Sequence, residues 1–224
     1  MTDLPHSSTD LEQIYERRFA GQHVARLQVW NALIGSFFNR WIPQNAAVLD
    51  LGCGYCEFIN QVAARQKFAM DLNPQAQQRA QDGIKVLLQD CSQTWQVPEQ
   101  SLDVVFTSNF FEHLPTKMQL ESTLAEAFRC LKPGGALLAL GPNIRYLPGA
   151  YWDFFDHYLA LTHLSLAEVL EKVGFRIEVN IDRFLPYTMS QGRIYPIWTL
   201  KAYLVLPFAW RFFGKQFFLV ARKP

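Results

Sequence analysis

"VLDLGCGYCEF", residues 48–58, is the stretch on which the reading turns. An apolar run carries into Asp50 and then into a turn built from Gly52 and Gly54, with Cys53 and Cys56 threaded through it. Such a loop can hold a nucleotide, a metal ion or a sulfonium cofactor. A dinucleotide fingerprint needs a third glycine where helix and strand pack beneath the pyrophosphate. Counting from Gly52, that position is Glu57, whose bulk and charge disfavour a nicotinamide dehydrogenase. A Cys-x-x-Cys metal site needs two more soft ligands at matching spacing, but Cys91 and Cys130 are isolated, so no metal is expected. A redox dithiol would need exposed cysteines at a helix start. The flanking glycines point instead to a ligand loop defined by its backbone.

Outward from this loop, β-rich runs alternate with helical ones: "AAVLDLG", a helix near Glu57 to Arg65, "KFAMDL", a helix from Pro74, "IKVLLQD" and "LDVVFTS". A helix near Lys117 to Leu131 follows, then Lys132 to Gly135 as a stop and turn, then "ALLALG". Alternation of this kind predicts an α/β fold, a Rossmann-like, doubly wound, mostly parallel seven-stranded sheet with ligands at the strands' carboxyl ends. After a loop at Pro142 to Ala150 come a helix from Ser165 to Gly174, the strand "FRIEVNI" and the last strand "KQFFLVAR", expected to run antiparallel. The chain divides as one domain: a helical cap over residues 1–43, a cofactor-binding core over 44–182, an apolar, aromatic insertion or lid over 183–214, and the last strand over 215–224.

Of the 224 residues, 50% are apolar and 18% charged, enough to bury one sizeable core. Twenty-one Lys and Arg nearly cancel twenty Asp and Glu, so nothing concentrates polyanions and no nucleic-acid partner is expected. The N-terminal residues lack the apolar segment of a secretory signal, which predicts a cytoplasmic protein with reduced thiols.

Asp71 ends the second strand seventeen positions beyond Gly54, where a carboxylate can accept from both hydroxyls of a ribose. Asp90 ends the third strand, where it can accept from an adenine amino group, and Asn109 follows the fourth. Helix capping is the competing role for both acids, since Pro74 and Ser92 lie close behind. With "AMDLNP", "LLQDCS", "LDVVFTSNFFEHL" and "LKPGGALLALGPN" in that order, the chain resembles the class I S-adenosylmethionine-dependent methyltransferases from about Ala46 to Asn143. The likeness implies that Asp50, Gly52, Cys53, Gly54, Asp71, Leu72, Asp90, Cys91, Asn109 and Phe110 bind S-adenosyl-L-methionine and its product S-adenosyl-L-homocysteine. Cys56 departs from it, standing where many relatives have a small glycine. Tyr15 and Arg18 are candidates to close over the cofactor's carboxylate.

The resemblance also implies methyl transfer, most simply O-methylation of a small-molecule or carbohydrate-bearing acceptor. N- or C-methylation, or a cofactor-binding module without turnover, are the alternatives. His113 in "NFFEHLP" and His157 in "YWDFFDHYLALTH" are the candidate bases, with Asp156 as an orienting or substrate-binding acid and Glu112 as a cap of the short helix. Between Ile194 and Trp210 the only charge is Lys201, and the run is too short and too interrupted by Pro207 for a transmembrane span. It suits a lid, a homodimer surface, or peripheral contact with a membrane or a lipid-linked acceptor.

Overall fold

The computed structural model describes residues 23–187 and 196–224. Seven strands form one sheet in the order β3-β2-β1-β4-β5-β7-β6. They are β1 (Ala47–Leu51), β2 (Gln66–Asp71), β3 (Ile84–Leu88), β4 (Leu102–Ser108), β5 (Leu131–Pro142), β6 (Arg176–Ile181) and β7 (Gln216–Arg222). Every pairing among the first five is parallel, and β7 runs antiparallel to both β5 and β6. The doubly wound sheet with an antiparallel last strand is thus the one expected. The central strand β1 is buried at all five positions, as a parallel strand covered on both faces must be.

Helices cover the two faces. On one side lie α4 (Lys117–Cys130) and α5 (His163–Val173), contributing Leu120, Leu124, Ala127, Leu166 and Leu170 to one core. On the other lie α1 (His23–Ser36), α2 (Glu57–Gln61), α3 (Gln75–Arg79) and α6 (Ile197–Leu204), whose Trp30, Leu33, Phe58, Ala76 and Leu204 build the second core. Aromatic packing dominates there: Phe58 stacks on Phe106 at 3.8 Å and Phe37 on Phe184 at 4.2 Å.

Several element ends differ from the sequence reading for identifiable reasons. Helix α5 opens at His163, not Ser165, because Thr162 is the N-cap and Ser165 completes a reciprocal capping box as the third helical residue. It stops where Gly174 takes φ +115°. Lys132 to Gly135 is an excursion inside β5, across which the register against β4 jumps from Leu102–Leu131 to Val104–Ala136. Helix α2 ends at Gln61, short of Arg65, because Val62 turns extended and the Arg65 and Gln66 amides bond the Ala46 carbonyl to begin β2.

Strand β6 ends at Ile181 opposite Phe218, and β7 begins at Gln216 opposite Pro142, the last residue of β5. Everything between therefore leaves from and returns to the edge where the parallel strands end. It contains α6 and α7 (Pro207–Phe213).

Candidate active site

The loop after β1 is a sequence of left-handed turns: Gly52 has φ +71°, Gly54 +51° and Cys56 +59°. At Gly52 a Cβ would lie 2.3 Å from the Phe110 ring, so both its backbone and its space require glycine. Cys56 takes the same backbone region at the steric cost that an L-residue carries there. Its thiol lies 3.7 Å from the Cys53 sulfur, and this thiol–thiol contact, with burial, raises the Cys53 pKa. All four cysteines are buried free thiols.

The loop is tied to β2 by the Gly52 and Cys53 amides on the Met70 carbonyl and by the Gly54 amide on Asp71 Oδ2 at 2.8 Å. Asp71 Oδ1 accepts from the Asn73 amide at 2.9 Å. Each oxygen keeps a further lone pair for a ligand hydroxyl. Burial raises the Asp71 carboxyl pKa. At Asp50, buried at the end of β1, burial and then the charge of Asp71 push it well up. Glu57 adds a third carboxylate and is gripped by both arms of Arg26 from α1, with Nε–Oε1 at 2.7 Å. Arg26 is thus the cap arginine that reaches this loop among the described residues; Tyr15 and Arg18 lie outside them.

Leu72 is exposed beside Asp71 and can offer an apolar face to a planar base. No helix follows Asp90 for it to cap; its Oδ1 accepts from the Ser92 amide and hydroxyl, each at 2.8 Å. The Cys91 thiol packs in the core 3.3 Å from Thr123 Oγ1, and burial pushes it up to about 12. Any ligand contact from Cys91 therefore falls to its backbone. Asn109 sits at φ +50° with its amide on the Leu140 carbonyl. Asn109 Oδ1, Thr107 Oγ1 and Asn73 Nδ2 are buried without a partner among the described residues. Unmet polar atoms at the ends of β2 and β4, around a glycine cradle, fit a polar nucleoside ligand.

The turn Phe111–His113 forms the other half of the site. The Glu112 carbonyl accepts from the amides of Tyr158 and Leu159, drawing the segment after β5 against the end of β4. His113 Nδ1 lies 2.9 Å from the Asp156 carbonyl and 3.2 Å from its Oδ2. Burial pulls the His113 pKa down, but its bond to Asp156 and the Glu112 charge outweigh this and leave it above 6.5. Asp156 thus partners His113, forty-three positions away, as well as adjoining His157 in the chain. The His157 ring is 5.0 Å from that of His113, stacked on Phe154 and edge-on to Tyr151. Glu112, His113 and His157 each bring one ligand atom to within 4.8 Å of the others, close enough to embrace a divalent cation. Glu112, cast as a cap, therefore belongs to the cluster. Its place beside His113, just after a strand end, was the available signal, though no sequence pattern joins it to His157. His163 is separate, its Nδ1 held by Asn143 at 2.9 Å, and Asn143 also donates to the Asp182 carbonyl.

Residues 49–139 match the family model described as a methyltransferase domain. A probable S-adenosylmethionine-dependent methyltransferase of Mycolicibacterium smegmatis is 37% identical over 90 residues, which span 39% of this chain and about a third (34%) of that relative. Among solved structures, a SAM-dependent methyltransferase from Archaeoglobus fulgidus superposes with TM-score 0.66 at 18% identity, covering 95% of this chain and 99% of that one. A Haloferax volcanii methyltransferase in complex with its Trm112 activator gives 0.68 at 17% identity over 99% and 100%. The matched residues run from within β1 into β5 and include the glycine loop, Asp71 and Asn109, so this part of the chain is similar to the methyltransferase domain, and the solved structures share its fold.

Proposed function

We propose that this chain transfers the methyl group of S-adenosylmethionine to an oxygen of a small-molecule or carbohydrate-bearing acceptor in the cytoplasm. The observation that carries this is residues 110–113, which link the two halves of the site. Phe110 packs on Gly52 of the cofactor loop, and His113 meets Asp156 on the segment beyond β5. S-adenosylmethionine supplies an activated methyl: the acceptor's oxygen forms a bond to carbon as the carbon–sulfur bond breaks, and neutral S-adenosylhomocysteine leaves. Asp71 is assigned the ribose hydroxyls, Leu72 and the end of β3 at Asp90 and Cys91 the adenine. Asp50 and the Asn109 carbonyl are assigned the cationic methionyl end, where clustered carboxylates favour positive charge. Tyr15 and Arg18 are assigned the methionyl carboxylate.

His113 takes the acceptor's proton, oriented by Asp156 through Nδ1, and His157 lines the acceptor or serves as the second candidate base. A positioned base contributes about 10²–10⁴-fold, so its removal distinguishes base catalysis from proximity alone. The experiment is turnover with methyl-labelled donor on a metabolite extract. Label in a product sensitive to mild base points to an oxygen ester, and stable label to an ether, nitrogen or carbon. Bound S-adenosylhomocysteine without transfer to any acceptor would leave only a cofactor-binding module.

A further inference from the structure

From Arg183 to Pro224 the chain has seven Lys and Arg and not one Asp or Glu, while residues 1–182 hold the other fourteen cations and all twenty acids. The near-neutral total hides a molecule with an acidic body and a cationic end. That end carries the helices α6 and α7, whose outward side shows Trp198 68%, Val205 69%, Phe208 64%, Phe212 76% and Phe213 63% exposed. Lys201, Arg211 and Lys215 are exposed beside them.

This is not a core face left uncovered by a loose segment, because the inward side is firmly attached. Leu204 is buried, Tyr203 Oη donates to the Phe184 carbonyl at 2.6 Å, and Trp210 Nε1 donates to the Tyr203 carbonyl at 2.8 Å. Phe184 itself lies inside the Phe37 and Phe218 cluster. The anchored pair of helices therefore presents aromatic and aliphatic groups rimmed by cations.

We propose that α6 and α7 dock this protein on an anionic lipid surface. Helices of eight and seven residues reach only about 12 and about 10 Å, far short of a span but long enough to lie in the interface. Tryptophan and phenylalanine at head-group depth with Lys and Arg at the rim match that environment. A second copy of the chain is disfavoured by charge: a two-fold contact sets this face against itself, and the segment has no acid to meet its own cations. Because the pair leaves the sheet at the carboxyl-end edge, docking brings the site's edge toward the bilayer. An amphiphilic acceptor, its head group methylated and its tail left in the lipid, follows from that orientation. The docking step does not depend on the methyl-transfer reading.

The test is co-sedimentation of the full chain with vesicles of phosphatidylcholine alone or mixed with phosphatidylglycerol. The wild type is expected to sediment with the mixed vesicles and to be released by salt. Lys201→Gln and Arg211→Gln should each weaken partition about fivefold, on the anionic vesicles only. Phe208→Ser with Phe212→Ser should weaken it on any vesicle, by more than tenfold. All four residues are exposed, so melting and S-adenosylhomocysteine affinity should stay as in the wild type. Absence of sedimentation with anionic vesicles at low salt overturns the proposal. So does partition unchanged in every variant, or a dimer broken by Phe212→Ser in a chain that ignores vesicles.

Discussion

Replacing Asp71 by asparagine separates the two tasks this carboxylate performs. In the folded chain its oxygens take the Gly54 and Asn73 amides at 2.8 and 2.9 Å, so it shapes the glycine loop as well as carrying the proposed ribose contact. A bond to a charged group contributes about 1.5–3 kcal/mol net. Asparagine keeps one acceptor but turns an NH₂ toward a backbone N–H. The side chain is only partly buried, and water can replace what is lost, so the stability cost should fall near the low end, about 1–2 kcal/mol. For the cofactor, losing one charged hydroxyl contact should weaken binding by about 10- to 150-fold. Calorimetric titration with S-adenosylhomocysteine measures the second effect and urea denaturation the first. Adenosine, which carries the ribose, should lose the same factor as the full product, whereas inhibition by free methionine should change little. Wild-type affinity for S-adenosylhomocysteine in Asp71→Asn, or a loss confined to methionine, refutes the assignment.

Four further outcomes follow from the site. Because the folded pKa of His113 is raised, its ion pair with Asp156 stabilises the fold fully below the ordinary 6.5 and is lost as pH rises through the raised value; turnover by a neutral base should climb over that same range. In Asp156→Asn, burial acts on His113 with less opposition and the acidic limb should move to lower pH; an unmoved limb removes Asp156 from the mechanism. Cys56→Gly should change stability by less than about 1 kcal/mol, since relief at φ +59° offsets the lost thiol contacts, whereas Cys56→Val should lose more than about 2 kcal/mol in urea denaturation. Added zinc should inhibit turnover by capturing the Glu112, His113 and His157 cluster, with recovery on chelation; insensitivity to zinc would show that the three ligand atoms do not converge.

The geometry of the loop after β1 was legible because it is written locally. Gly52 and Gly54 are demanded by backbone angles that few other residues adopt, and Asp71 directly follows the apolar run Phe68–Met70 that marks its strand. The positive φ of Cys56 was also within reach, since a position filled by glycine in relatives implies a left-handed turn. The acceptor half was not legible in the same way. Nothing in "YWDFFDH" says whether Asp156 serves the histidine beside it or one forty-three positions earlier; that depends on the Glu112 carbonyl taking the Tyr158 and Leu159 amides, a tertiary event. The Arg26 and Glu57 pair is a similar case, thirty-one positions apart. In the apolar run from Ile194 to Trp210, an almost unbroken string of large side chains carries no period from which to tell Leu204, buried, from Trp198, exposed. Charge told more there than hydropathy. A segment that must only fill a core has no reason to exclude every acid over forty residues, since its solvent side would carry both signs. Excluding them is a constraint on what the outer face meets, and it is visible in the sequence before any helix is drawn.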